Sequence, residues 1–242
     1  MPEPEIDATN LNPSLLQEVN LFHDLEAGQI EIVFQAAHPL RVASEAYLFH
    51  QGDSAERLHV LLIGSLKLTQ VTPDGQQVLL HYVHAGQAFA ILAVFGGIEY
   101  PVSAQAVEDS LVLTWDRESI NDLMLRFPQI ALRALEVMTR QAREFQDRIR
   151  ELSTERVERR LARALLRLAQ QAGSRVQDGV RINLSISRQD LAEMTGTTLF
   201  TVSRTLSQWE SQGLIETRRG KVLIRMPHEL VTIAEELPNR QP

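Results

Sequence analysis

The segment SRQDLAEMTGTTLFTVSRTLSQWESQGLIETRRGKVLIRM, residues 187–226, constrains the fold more tightly than any other stretch of the chain. Ser187 stands three residues before Asp190, the spacing of a hydroxyl and an acid that cap a helix start reciprocally. Leu191, Ala192 and Met194 then form an apolar face, and Gly196 supplies a turn. A second helix is predicted from about Thr198 to Gln212, with Val202, Leu206 and Trp209 inward and Gly213 at its end. Two short helices around a glycine-containing turn make a helix-turn-helix. LIETRRGKVLIRM reads as a β-hairpin wing with Arg218, Arg219, Gly220 and Lys221 at its tip.

The side chains of this segment suit double-stranded DNA. The start of a recognition helix enters the major groove. Ser187, Arg188, Gln189, Thr198 and Thr201, with Arg218, Arg219 and Lys221 on the wing, are donors suited to phosphates, which position without specifying. Leu199, Phe200, Ser203 and Arg204 are the candidates for base contacts. Arg204 can pair with guanine O6 and N7, worth about 1–3 kcal/mol of discrimination. The plainer alternatives are a phosphate or solvent role for Arg204, helix packing for Leu199 and Phe200, and a helix-turn-helix used only for protein contacts.

Upstream, Pro128 opens a long helix whose residues Ala131, Leu135, Met138, Ala142, Phe145, Ile149 and Leu152 alternate spacings of four and three. That heptad seam is narrower than a stripe facing a globular core, and it predicts a partner helix. The simplest partner is a second copy related by two-fold symmetry; packing on the protein's own β-structure is the alternative. Residues 155–172 form another amphipathic helix, and GSRVQDGVR after it reads as a loop.

Between residues 38 and 116 the texture is β. Gly52, Gly64, Gly75, Gly86 and Gly97 punctuate short Val, Leu, Ile and Phe runs every 11 or 12 residues, and TPDGQQ is a hairpin turn. The expected fold class is therefore α+β. Residues 1–37 form a helical entry segment and 38–126 a jelly-roll-like β-roll sensor domain. Residues 127–153 form a dimerisation helix, and 154–242 a winged helix-turn-helix domain. The net charge of −7 divides unevenly, −10 over residues 1–150 and +3 over 151–242, so the basic end is the one suited to nucleic acid.

On these motifs the chain resembles the CRP/FNR family of bacterial transcription regulators over about residues 15–227. LFHDLEAGQIEIVFQAA is similar to the family's entry helices. LFHQGDSAERLHVLLIGSLKLTQVTPDGQQVLLHYVHAGQAF is similar to its β-roll, and SRQDLAEMTGTTLFTVSRTLSQWESQGLI to its winged helix-turn-helix. The resemblance implies a homodimer on the long helix and a pseudo-palindromic DNA site. It also implies effector binding that reorients the reading heads. RNA polymerase is the expected protein partner.

The departures from the family are as informative. Members that bind cyclic AMP carry roughly G-E-x-x-G-E-L followed by P-R-S-A, in which the Glu bonds the ribose and the Arg the phosphate. Here Gly86 and Ser103 are kept, but Ala90 and Ile91 take the Gly-Glu places and Val102 takes the Arg place. A buried phosphate without its charge partner costs several kcal/mol, so cyclic nucleotide binding in the family manner is not expected. Phe145 and Gln146 stand where those members present a hydroxyl pair. With no cysteine in the chain, the family's iron–sulfur sensors are excluded. Three options stay open. Haem suits an apolar pocket of Ala88, Phe89, Ala90, Ile91, Leu92, Met138 and Phe145, and needs an axial ligand, His81 or His84 being nearest. The others are an apolar or weakly polar metabolite, and no ligand at all. Leu199 and Phe200 replace the Arg or Glu of many relatives, and apolar side chains there can meet thymine methyls.

Enzyme activity is not expected. HYVH has the wrong spacing for two ligands on one strand face, against a cupin-like metalloenzyme, and no catalytic triad or nucleotide fingerprint occurs. The acidic N-terminus is unlike a secretory signal and no apolar run approaches the ~18–20 residues of a membrane span, so a cytoplasmic location without membrane partners is expected.

Overall fold

The computed structural model describes residues 11–218 and 220–235. These fall into two compact units. The first runs to Gln76 and resumes over Leu80–Glu144. The second takes Gln77–Leu79 and everything from Phe145 onward.

In the first unit, a 3-10 turn (Pro13–Glu18) and helix α1 (Ala27–Gln35) precede eight strands. These are β1 (His38–Val42), β2 (Tyr47–Phe49), β3 (Arg57–Ile63), β4 (Ser65–Val71), β5 (Gln77–His84), β6 (Gln87–Phe89), β7 (Ser103–Ala106) and β8 (Ser110–Asp116). They form two four-stranded sheets, ordered β1-β8-β3-β6 and β2-β7-β4-β5. A short helix, α2 (Ile91–Gly96), follows β6, and α3 (Arg117–Arg126) follows β8. The five regularly spaced glycines all sit at positive φ, between 64° and 91°.

Strands β3 and β8 are buried on both faces, and their alternation divides the core in two. Leu58, Val60, Leu113 and Trp115 face α1 and α3, where they meet Leu16, Phe22, Val33 and Ile120. Leu61 and Val112 point the other way, toward Phe49, Leu66, Val83 and Phe89. Trp115 also donates its indole N–H to the Val33 carbonyl at 2.9 Å, tying α1 to β8. Asp116 caps α3 by accepting from the Ser119 amide at 2.8 Å.

Helix α4 (Pro128–Thr154) carries 27 residues, a rod of about 40 Å. Its two apolar stripes differ in fate. Ile130, Ala134 and Val137 are buried in the core against α1 and β3, with Met138 half-buried beside them. Ala131, Leu135, Ala142, Phe145, Ile149 and Leu152 are exposed. Of the seven seam residues, Met138 packs on the core of the first unit and Leu152 lies beside Gly196 of the helix-turn-helix.

The second unit continues with α5 (Val157–Ala172), β9 (Gly173–Val176), β10 (Gly179–Ile182), α6 (Arg188–Thr195), α7 (Leu199–Ser211), β11 (Ile215–Arg218), β12 (Lys221–Ile224) and α8 (Pro227–Glu235). Helix α5 buries Leu161, Ala162, Ala164, Leu165 and Leu168. The segment GSRVQDGVR, expected as a loop, is the β9–β10 hairpin, which extends the wing into a sheet ordered β11-β12-β10-β9. Close approach of β10 to β12 makes this possible: at Gly179 a Cβ would lie 2.0 Å from the Ile224 carbonyl oxygen.

Candidate nucleic-acid interface

The helix-turn-helix is held by short-range chemistry. Ser187 accepts from the Asp190 amide at 3.0 Å while Asp190 accepts from the Ser187 amide at 2.8 Å, a closed capping box. Gly196 ends α6 in the left-handed region (φ 59°), where a side chain is disfavoured. Thr198 caps α7 by accepting from the Thr201 amide at 3.2 Å, and the two threonine hydroxyls lie 3.0 Å apart. Val202, Thr205, Leu206 and Trp209 face inward.

The opposite face of α7 is open. Leu199 is 48% and Phe200 75% exposed, Arg204 is exposed, and Ser203 is half-buried between them. The Arg204 side chain makes no hydrogen bond or ion pair with the described residues, nor do those of Arg188 and Lys221. Among the other phosphate candidates, Gln189 donates to Glu193 at 3.1 Å. Arg218 pairs with Glu216. Glu216 also accepts from Arg225, which holds its carboxyl below the usual range. Arg219 lies outside the described residues. Ser187, Arg188, Thr217, Arg218 and Lys221 line a cleft of about 460 Å³ between the start of α6 and the wing. Its cations and the α6 amide dipoles favour an anion.

Several residues that position this interface were not anticipated. Arg148 on α4 donates to the Met194 carbonyl at 2.6 Å, and Arg160 on α5 donates to the Thr195 carbonyl at 2.9 Å. Together they satisfy carbonyls at the end of α6, where a helix leaves them without partners. Burial, with the Arg167 charge nearby, pulls the Arg148 pKa down to about 10, so it stays charged at neutral pH. The buried Glu151 carboxylate takes two bonds from Arg167, at 2.7 and 2.9 Å, and Glu155 accepts from Arg163 at 3.1 Å. The sequence signal was Glu151 and Glu155 one helical turn apart, followed by Arg159, Arg160, Arg163 and Arg167 on the next helix.

The proposed effector residues of the first unit are divided between its two cores, and Phe145 belongs to the second unit. Phe89 is buried between the sheets, whereas Ile91 is buried in the core against α1. Leu92 is 55% exposed and Phe145 51% exposed. Val102 and Met138 are half-buried. Gly86 donates its amide to the Leu61 carbonyl at 2.8 Å. Ser103 already accepts from the Gln51 amide at 2.9 Å. Ala90, the residue before α2, adopts φ 64°, a left-handed conformation without glycine's freedom.

Rings occupy the space between the sheets. Phe49 stacks on Tyr100 at 3.8 Å, and His59 stacks on Phe89 at 5.2 Å and on Phe49 at 5.4 Å. The Tyr100 hydroxyl donates to the Arg57 carbonyl at 3.0 Å, so its oxygen accepts from His59 Nε2, 3.1 Å away. His59 is 3% exposed, and its Nδ1 has no hydrogen-bond partner among the described residues. Burial, assisted by the Arg57 charge, lowers its pKa to about 3. His81 and His84 are half-buried and three apart on β5, hence on opposite faces. With Ile91 committed to the core and the inter-sheet space filled by rings, these residues do not fit the haem slot the sequence suggested. Among the described residues no group of three His, Cys, Asp or Glu is placed to hold a metal ion, and no helix is long and apolar enough to cross a membrane.

Two family models match the chain, the Crp-like helix-turn-helix domain over residues 159–233 and the cyclic nucleotide-binding domain over 39–127. Among curated relatives, a CRP-like cAMP-activated global transcriptional regulator of Mycobacterium tuberculosis is 24% identical over 210 residues, covering 87% of this chain and 94% of the relative. A fumarate and nitrate reduction regulatory protein of Salmonella typhimurium is 25% identical over 217 residues, covering 90% and 85%. The chain belongs to the CRP/FNR family. Among solved structures, a CRP-family transcriptional regulator from Thermus thermophilus matches this CRP/FNR chain with a TM-score of 0.69 and 25% identity, covering 81% of it and 96% of the other.

The family's members are transcriptional regulators with a DNA-binding helix-turn-helix, not enzymes. Ala90, Ile91 and Val102 of this CRP/FNR chain carry no charge and no hydrogen-bonding group on their side chains.

Proposed function

We propose that the protein is a cytoplasmic, homodimeric, sequence-specific DNA-binding regulator of transcription whose β-roll takes no cyclic nucleotide through the phosphate-loop contacts. The observation that carries the DNA assignment is the unpartnered Arg204 on the outward face of a capped α7, beside a cationic cleft at the start of α6. Exposure of Leu135, Phe145, Ile149 and Leu152 on one side of α4 supports the dimer. Replacement of the charged loop residues by Ile91 and Val102 argues against a phosphate ligand.

Fluorescence anisotropy on a selected site and on random DNA tests the assignment. Arg204→Ala should bring the two affinities together, whereas Lys221→Ala should weaken both alike and reduce the dependence on salt. Equal loss on both DNAs for Arg204→Ala removes its base-reading role. Cyclic AMP should change neither the affinity nor the melting temperature, and a dose-dependent stabilisation contradicts the sensor part.

One observation favours a second reading of the sensor, in which no effector is needed. The rings of Phe49, His59, Phe89 and Tyr100 themselves fill the space between the sheets. Protein purified from cells and then stripped of small molecules by unfolding and refolding should in that case bind its site undiminished.

A further inference from the structure

Phe200 is the most exposed apolar side chain of the helix-turn-helix, with 75% of its surface uncovered, although its helix has a well-formed buried face. The backbone beneath it is fixed by the Thr198 cap, so the ring is held outward at the start of α7. Phe200 and Arg204 are four residues apart and share one face of the helix. A rise of about 1.5 Å per residue sets them about 6 Å apart along the axis, close to two base steps of about 3.4 Å.

The chemistry around the ring indicates what covers it. Its neighbours one turn further along the face are Ser203, Arg204 and Ser207, a cation and hydroxyls, and the only apolar side chain beside it among the described residues of α7 is Leu199, 48% exposed. Phenylalanine has no donor or acceptor for the polar edges of bases. Within the major groove the one apolar feature is the 5-methyl group of thymine. We infer that Phe200 is a specificity residue that reads the methyl group of a thymine about two base pairs from the guanine read by Arg204. The inference rests on the DNA assignment above and names a determinant within it.

Removing that methyl alone provides the test. The full-length protein is used to select its site, and the thymine at that position is replaced by uracil. The wild type should lose about fourfold in affinity, the equivalent of ~0.8 kcal/mol for one buried carbon. Phe200→Ala should bind the thymine and uracil sites equally while still discriminating the guanine through Arg204. Phe200→Leu, which keeps an apolar contact, should retain part of the thymine preference. Equal binding of thymine and uracil by the wild type, with guanine discrimination intact, overturns the Phe200 role and leaves the DNA assignment standing. Failure to enrich any site overturns both.

Discussion

Phe145→Glu should convert the protein from dimer to monomer. In the single chain Leu135, Phe145, Ile149 and Leu152 keep 61%, 51%, 65% and 45% of their surface exposed along α4. Full burial of a side chain of this size contributes roughly 1.5–3 kcal/mol. These four are about half exposed, and a two-fold pair covers each of them twice, which contributes roughly 6–12 kcal/mol in total. Association costs about 4–15 kcal/mol in lost freedom, so the dimer has little surplus to lose. Symmetry places the substitution in the interface twice. Each copy forfeits about 1 kcal/mol of ring burial and sets a carboxylate without a partner against apolar neighbours. A combined loss of at least about 4 kcal/mol raises the dissociation constant by roughly a thousandfold. Sedimentation equilibrium over a range of concentrations reads this directly. Phe145→Leu, which stays apolar, should remain dimeric. An unchanged association constant for Phe145→Glu would refute the assignment of this stripe to a second copy.

Three further predictions concern stability. Ala90→Gly should raise the melting temperature, because it relieves a left-handed alanine that costs roughly 1–2 kcal/mol against a smaller loss of chain entropy; a lowered value would mean that the Ala90 methyl group makes contacts worth more than the strain. Arg167→Ala should destabilise the second unit toward the low end of roughly 3–5 kcal/mol, since Glu151 is buried while the Arg167 end of the pair is about one-third exposed; urea unfolding within about 0.5 kcal/mol of wild type would contradict it. His59 is neutral when folded, with a pKa of about 3 against 6.5 for the free side chain. The unfolded chain therefore takes up a proton first, and stability is lost as pH falls from about 6.5 toward 3, by up to ~1.4 kcal/mol per pH unit. His59→Phe should flatten the melting-temperature profile over that window, and an unaltered slope would remove His59 as its source.

What could be read from the sequence follows the range of the forces involved. The winged helix-turn-helix was legible because its boundaries are set by local chemistry. Ser187 and Asp190 close a box within one turn, and Gly196 and Thr198 act on adjacent residues. The two faces of β3 and β8 were legible only as a β texture, since which face meets which core depends on partners far along the chain. The β9–β10 hairpin escaped notice because its strands are only four residues long and each begins with a glycine, and what organises them is the approach of Gly179 to Ile224. On α4 the seam residues other than Met138 are exposed, while a second stripe, Ile130, Ala134 and Val137, runs one residue before them and faces the protein's own core. The effector residues were chosen from their places in a motif. Burial then separated Phe89 from Ile91, a division that strand and helix packing impose and that spacing does not reveal.

Selection of DNA from a random pool by the full-length protein tests the regulator assignment most directly. The expected result is enrichment of a two-fold symmetric site, with half-site centres about one helical turn apart and a guanine in each half whose selection disappears in Arg204→Ala. Enrichment of asymmetric or unrelated sequences, or the same guanine selected by Arg204→Ala, would contradict it.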